Sequence, residues 1–172
     1  FTTAGITALT TQELAVLSSS QWGGLSTAQV AALSTAQVRA MDSADLAALT
    51  SSQWRAMGTD DIVALSSTQW LALASEDLRA LTSTQINAIG SADLAALTTT
   101  QVASLTTGQL ARLATSLIES IETADLVALT TAQVRSLTSS QIGALTTTQI
   151  EALETSDIAA MTSAQIRVFD TA

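Results

Sequence analysis

The sequence predicts an all-α solenoid of very short helices, an elongated rod built from eight-residue helix-and-corner units. Three observations carry that prediction. The chain divides into consecutive octads without a slip, each octad places two large apolar residues three apart, and a Ser or Thr stands at a fixed place in every one. Stepping by eight from Thr2, twenty-one octads fill residues 2–169 as one uninterrupted array, leaving Phe1 and the C-terminal remainder 170–172. The second position is Ser or Thr throughout, from Thr3 to Ser163. The fourth is Gln or Asp except at Gly5, Glu13 and Leu117. The fifth is Leu, Ile, Val or Trp, the seventh mostly Ala, and the eighth Leu, Met, Ile or Phe.

Apolar residues three apart share one face of a helical turn, whereas a strand needs alternation in steps of two. A single continuous helix is disfavoured, because eight residues overrun two turns by roughly 80° and the apolar stripe would wind around it. The hydroxyl pair at each repeat invites the backbone to stop and restart, since Ser and Thr oxygens satisfy the free amides of a helix start. Two assignments of the cap compete. A first-position Thr with a fourth-position Gln, such as Thr98 with Gln101, would form a capping box. The second position never departs from Ser or Thr, while the first admits Gly58, Ala74, Gly90, Ala114 and Glu122. The reading therefore favours the second position as the cap and the first as a corner residue, a place that suits glycine.

Alternate octads differ. The six fourth-position aspartates, Asp45, Asp61, Asp77, Asp93, Asp125 and Asp157, fall in one parity class, and Trp22, Trp54 and Trp70 occupy the fifth position of the other. Two environments per sixteen residues predict octads paired into 16-residue layers, with two oppositely directed helices on either side of a thin apolar seam. Helices of about six residues do not persist alone, so stability must come from stacking between layers.

Composition excludes most site chemistry. The 172 residues contain no Cys, His, Tyr, Lys or Pro, and only 12% are charged. Nucleophilic triads, imidazole bases and zinc sites of the usual kind are absent, so no catalytic residue, metal site or cofactor is expected and the chain reads as no enzyme. The formal net charge of −9 disfavours nucleic acid as a partner. Apolar runs stop at four or five residues, as in "WLALA", so no membrane insertion is expected.

Three features invite sharper readings. The aspartate column invites calcium, but successive aspartates one layer apart lie too far from each other to share an ion, and helix-start hydrogen bonding is preferred. The tryptophans replace Ile and Val at an inward position and read as core rather than sugar platforms. The sixth position divides by class: one class carries Arg39, Arg55, Arg135 and Arg167 among other polar residues, while the other is small and apolar, interrupted only by Arg79. Ala95, Ala111, Val127 and Ala159 of that second class are candidates for a lateral packing face, with burial under neighbouring layers as the equal alternative. The apolar register continues to both ends, so Phe1, Ile6, Leu9, Ile166, Val168 and Phe169 are candidates for end-to-end stacking.

The wordings "LTTAQV" and "LSTAQVAAL" resemble octapeptide repeat regions of large bacterial surface and secreted proteins. That resemblance implies an extracellular or cell-surface spacer, stalk or filament of bacterial origin and supplies no functional residue. Together with the repeat pattern it leads to the expectation of a non-enzymatic structural protein, an extracellular rigid spacer or a filament-forming subunit whose partner is another copy of itself. The alternative is a binding module using the solenoid flank, with Arg39, Arg55 and Arg135 as docking residues for a protein, or with ice as the less favoured ligand.

Overall fold

The structure, a computed structural model, describes residues 2–169; among them every regular element is a helix of four to six residues, and there is no strand. The chain groups into two compact units, Phe1–Ile89 and Gly90–Ala172, although the octad register passes through the boundary without interruption. The first unit holds α1 (Thr3–Ala8), α2 (Thr11–Leu14), α3 (Ser19–Gly23), α4 (Thr27–Val30), α5 (Thr35–Ala40), α6 (Ser43–Ala47), α7 (Ser51–Ala56), α8 (Thr59–Ala64), α9 (Ser67–Leu71), α10 (Ser75–Ala80) and α11 (Ser83–Asn87). The second holds α12 (Ser91–Ala96), α13 (Thr99–Ala103), α14 (Thr107–Leu110), α15 (Thr115–Glu119), α16 (Thr123–Val127), α17 (Thr131–Ser136), α18 (Ser139–Gly143), α19 (Thr147–Glu151), α20 (Thr155–Ala160) and α21 (Ser163–Ile166). One octad makes one helix, as its period requires. None of these helices is long and apolar enough to cross a membrane.

Each helix starts at the second octad position, and the first position is the N-cap. Thr50 illustrates the geometry: its backbone is extended at φ −77° and ψ 157°, and its side chain accepts a hydrogen bond from the Gln53 amide. This corrects the assignment of the cap to the second position, which is the first residue inside the helix. It also changes the role of the first-position glycines. Gly58 and Gly90 are extended N-caps with φ of −69° and −68°, not left-handed residues closing the preceding helix.

No described residue has a positive φ. The corners are made by the eighth and first positions together, both extended after several of the helices, as at Met57 (ψ 142°) and Gly58 (ψ 156°). The eighth-position amide returns to the fifth-position carbonyl, as Leu25 N–H does to Trp22 O at 3.1 Å, tightening the last turn. A left-handed residue is the common device for closing a helix end sharply. Without one, two extended residues bend the path rather than reverse it.

That bend decides the layer. Within each unit the helices that pack together lie three apart: α5 with α8, α7 with α10 and α4 with α7 in the first, α17 with α20, α13 with α16 and α14 with α17 in the second. Side-chain bonds also join octads four apart, as described below. A turn of the coil therefore takes between three and four helices, and the pairing of two antiparallel helices in a 16-residue layer is replaced by this wider turn. The physical reason is enclosure. Trp22, Trp54, Ile62, Leu46 and Leu78 are fully buried, and a two-helix seam would leave such side chains open along its edges, whereas three or four helices around an axis surround them.

The apolar positions are those read from the sequence. Fifth-position side chains from Ile6 to Ile142 and eighth-position side chains from Leu25 to Leu145 are buried. Each such side chain contributes roughly 1.5–3 kcal/mol on burial, which is the source of stability for helices too short to form alone.

A Cβ built on Gly58 would come no nearer than 3.4 Å to another group, the Asp61 carboxylate. Gly58→Ala is therefore expected to raise the melting temperature, with a gain of about 0.4–1 kcal/mol from the less flexible unfolded chain. A loss of stability in thermal unfolding would mean that the corner needs a left-handed residue after all.

Candidate functional site

The fourth octad position, the third residue of each helix, is where the chain concentrates its polar chemistry. Its glutamines are buried although polar: Gln37, Gln53, Gln85, Gln141 and Gln149 expose 2–4% of their surface. Buried amides need partners at both ends, and each end finds them in a different place. The carbonyl end works within its own octad. Gln53 Oε1 accepts the Thr50 backbone N–H at 2.6 Å and the Thr50 hydroxyl at 2.9 Å, while the Thr50 hydroxyl accepts the Gln53 N–H at 3.3 Å. This is a capping box, repeated from Ser18 with Gln21 to Thr162 with Gln165.

The nitrogen end works across the coil. Gln53 Nε2 donates to Trp22 O at 2.9 Å and Leu25 O at 2.8 Å, the fifth and eighth positions of the octad four before. Gln37 reaches Ile6 O and Leu9 O, Gln69 reaches Val38 O and Met41 O, and Gln85 reaches Trp54 O and Met57 O. In the second unit Gln141 reaches Leu110 O and Leu113 O, both at 2.7 Å, Gln149 and Gln165 do the same for their own coil neighbours, and Gln133 reaches Ala103 O and Leu105 O, the sixth and eighth positions. The carbonyls at a helix C-terminus have no partner inside the helix. Each of these glutamines thus closes the start of its own helix and the end of another.

Glu13 makes the charged version of the local half. Its carboxylate accepts the Thr10 N–H at 2.8 Å and hydroxyl at 2.9 Å, and these bonds, the backbone one first, hold its pKa below the ordinary glutamate value.

Aspartate fills the same position differently. Asp45 Oδ2 accepts the Asp42 N–H at 3.2 Å and Asp61 Oδ2 accepts the Gly58 N–H at 3.3 Å, so the helix-start role expected of them holds, at the third residue rather than at the cap. Across the coil they meet the octad three before. Asp77 Oδ1 accepts the Ser51 hydroxyl at 2.9 Å. The Trp22 indole N–H faces Asp45 without forming a hydrogen bond of standard length and angle, and the Trp54 indole N–H likewise has no such bond among the described residues. Burial pushes the pKa of Asp45, Asp61 and Asp77 above the ordinary aspartate value. It outweighs the opposing bonds from the Asp42 and Gly58 amides and the Ser51 hydroxyl, and the neighbouring charges of Asp42, Asp60 and Glu76 add to it. Among the described residues no three His, Cys, Asp or Glu side chains gather closely enough to hold a metal ion.

The capping box has a signature in the sequence that position-by-position reading missed. Every octad with glutamine at the fourth position begins with Ser or Thr, while the six with aspartate begin with Asp42, Gly58, Ala74, Gly90, Glu122 and Glu154. Hydroxyl and long amide occur together because they bond each other. Leu117, which breaks the pattern, follows Ala114, which makes no side-chain cap.

Of the proposed end-stacking residues, Phe1 lies outside the described residues. Ile6 is fully buried within its own unit, so its side chain has no free surface to offer. Leu9 is half-buried, and so are Val168 and Phe169. Val168 lies over Gly143, where an added Cβ would come within 3.0 Å of Val168 Cγ1. Ile166 is 37% exposed. Of the proposed lateral residues, Val127 and Ala159 are exposed while Ala95 and Ala111 are half-buried. Their helices α12, α14, α16 and α20 pack with helices three along, α15, α17, α19 and α17 respectively, and not with one another.

The tryptophans are fully buried, as read. Arg39 and Arg55 lie on the surface, but each is tied to the next turn by its Nε, which donates to Ala64 O at 3.3 Å and Ala80 O at 3.1 Å. An open groove of about 600 Å³ beside Arg39 and Asp42 in the first unit includes the exposed Val63. One of about 580 Å³ in the second runs past Glu119 and Glu122.

A repeat of this length, with this hydroxyl and amide pairing, has relatives. Residues 8–43, 38–75, 71–107 and 118–155 match the family described as the ALTTAQ repeat. The chain belongs to that family. No curated protein and no solved structure matches it. The ALTTAQ repeat is thus a tandem helical repeat in this chain, and "TTAQ" spells its capping box: in Thr130–Gln133 the outer letters are the N-cap and the glutamine that reaches across the coil.

Gln53→Leu keeps the bulk and removes every one of these bonds, leaving the Thr50 N–H and the Leu25 carbonyl without their partner and Trp22 O with backbone donors such as the Leu25 N–H. It is expected to cost about 2–4 kcal/mol in urea unfolding. Gln21→Leu is expected to cost less than half as much, because the exposed Gln21 makes only the bonds to Ser18 among the described residues.

Proposed function

We propose that this chain is a non-enzymatic structural repeat protein that serves as an extracellular or cell-surface spacer or as a filament-forming subunit, its partner being another copy of itself. The observation that carries this reading is the polarity of the glutamine bonds. Among the described residues the cross-coil glutamine donors point from one octad to carbonyls nearer the N-terminus, as Gln53 does to Trp22 and Leu25 and Gln141 does to Leu110 and Leu113. A coil with this rule has a donor side and an acceptor side that fit each other, so octads add without any new kind of contact.

The inventory of side chains supports a structural role. The buried polar residues are glutamines and aspartates occupied in joining helices, and the chain has neither His nor Cys. Low charge and freedom from cysteine are compatible with exposure outside the cell, where thiols oxidise. A heterologous contact between such sides leads to filaments where its rotation does not close a ring.

Sedimentation and electron microscopy of the purified chain test the self-assembly half. Concentration-dependent growth into longer particles is expected, with loss of growth in Leu9→Glu and Phe169→Glu variants that remain helical by circular dichroism. A wild-type chain that stays monomeric at high concentration would remove the filament arm and leave the spacer.

A further inference from the structure

In the first unit the fourth-position residue of an octad is a neutral amide in α3, α4, α5, α7, α9 and α11, the exposed Glu13 in α2, and a buried aspartate in α6, α8 and α10. Asp45, Asp61 and Asp77 expose only 7%, 6% and 6% of their surface. They lie where helices three apart meet, α6 against α3 and α9, α8 against α5 and α11, and α10 against α7. Burying a charge is costly unless it is paired, and among the described residues no arginine offsets the charge of these three.

The helices packed against α6 carry no ionisable residue, and its own start adds Asp42. Around Asp61, α5 brings Arg39, whose Nε is engaged by Ala64 O, α11 brings none, and its own helix adds Asp60. Around Asp77, α7 brings Arg55, whose Nε is engaged by Ala80 O, while its own helix adds Glu76 and Arg79. The chain has no lysine or histidine to draw on.

We propose that these three aspartates form an acid-responsive device in the unit Phe1–Ile89, which tightens its coil when they take up protons in mild acid. A protonated aspartate no longer places a charge between turns, and it gains the hydrogen-bond donor that glutamine has at the same position and that an ionised carboxylate lacks. The direction follows from linkage. The folded unit protonates these groups at a higher pH than the unfolded chain, whose aspartates titrate near 3.8. Between the raised folded values and 3.8 the folded state binds more protons, so stability rises as pH falls through that window and is lost as pH rises through the folded values.

The three tryptophans all lie in this unit, so their fluorescence in the full chain reports its unfolding. Urea titrations are compared at pH 7 and pH 5. The wild-type midpoint is expected at higher urea at pH 5. In the Asp45→Asn, Asp61→Asn, Asp77→Asn triple variant the midpoint is expected to stand above the wild type at pH 7 and to move much less with pH. An exposed control, Asp42→Asn, Asp60→Asn, Glu76→Gln, is expected to keep most of the wild-type shift. A wild-type midpoint that is flat or falls in acid would overturn the proposal. So would a triple variant that shifts as far as the wild type, or an exposed control that alone abolishes the shift and so assigns it to surface repulsion. An unfolded triple variant at both pH values would overturn it too, because neutral isosteres would then be worse than the charges they replace.

Discussion

The amide of a cross-coil glutamine, such as Gln37, Gln53, Gln69, Gln85, Gln133, Gln141, Gln149 or Gln165, has two jobs that cannot be separated. Its oxygen finishes the start of a helix and its nitrogen finishes the end of a helix four octads earlier. Helices of four to six residues have nearly all of their backbone groups at one terminus or the other, so a fold built from them has to satisfy those groups by other means or leave them in water. Gln53 shows how one side chain does so, holding Thr50 on one side and Trp22 and Leu25 on the other. The bond is local enough to be written in every octad and long-range enough to set the pitch of the coil.

The two parity classes acquire a physical meaning from the same geometry. Packing three octads apart joins an odd octad to an even one, whereas the glutamine bonds four apart join like to like. The tryptophan class therefore lies against the aspartate class: Trp22 faces Asp45, and Ser51 bonds Asp77. The alternation records contact between unlike helices in successive turns and does not mark two sides of a thin layer. The small apolar sixth positions, which look like one column when read in steps of sixteen, accordingly belong to helices that are not each other's packing partners.

Fourth-position chemistry also divides the work of the coil. Glutamine is neutral and bonds in both directions, so it can be buried without electrostatic cost. Aspartate is shorter and, when ionised, only accepts. Its first-position partner can lose the hydroxyl, as at Gly58, where the Asp61 carboxylate accepts the cap amide without it. Arg39 and Arg55 add a third kind of join, using their Nε on the carbonyls of the next turn while the rest of the side chain stays in water.

The octad length, the helical character and the identity of the core positions were all determined by the sequence alone, because an apolar pair three residues apart can share a face only on a helix and the register never slips. The first-position cap was legible too, in the way Ser or Thr accompanies glutamine, but the constancy of the second position drew attention away from that pairing. What only the tertiary structure decided was the number of helices in a turn. That number depends on how far two extended residues of negative φ bend the path and on how many helices are needed to enclose side chains such as Trp54, and neither quantity is carried by any single octad.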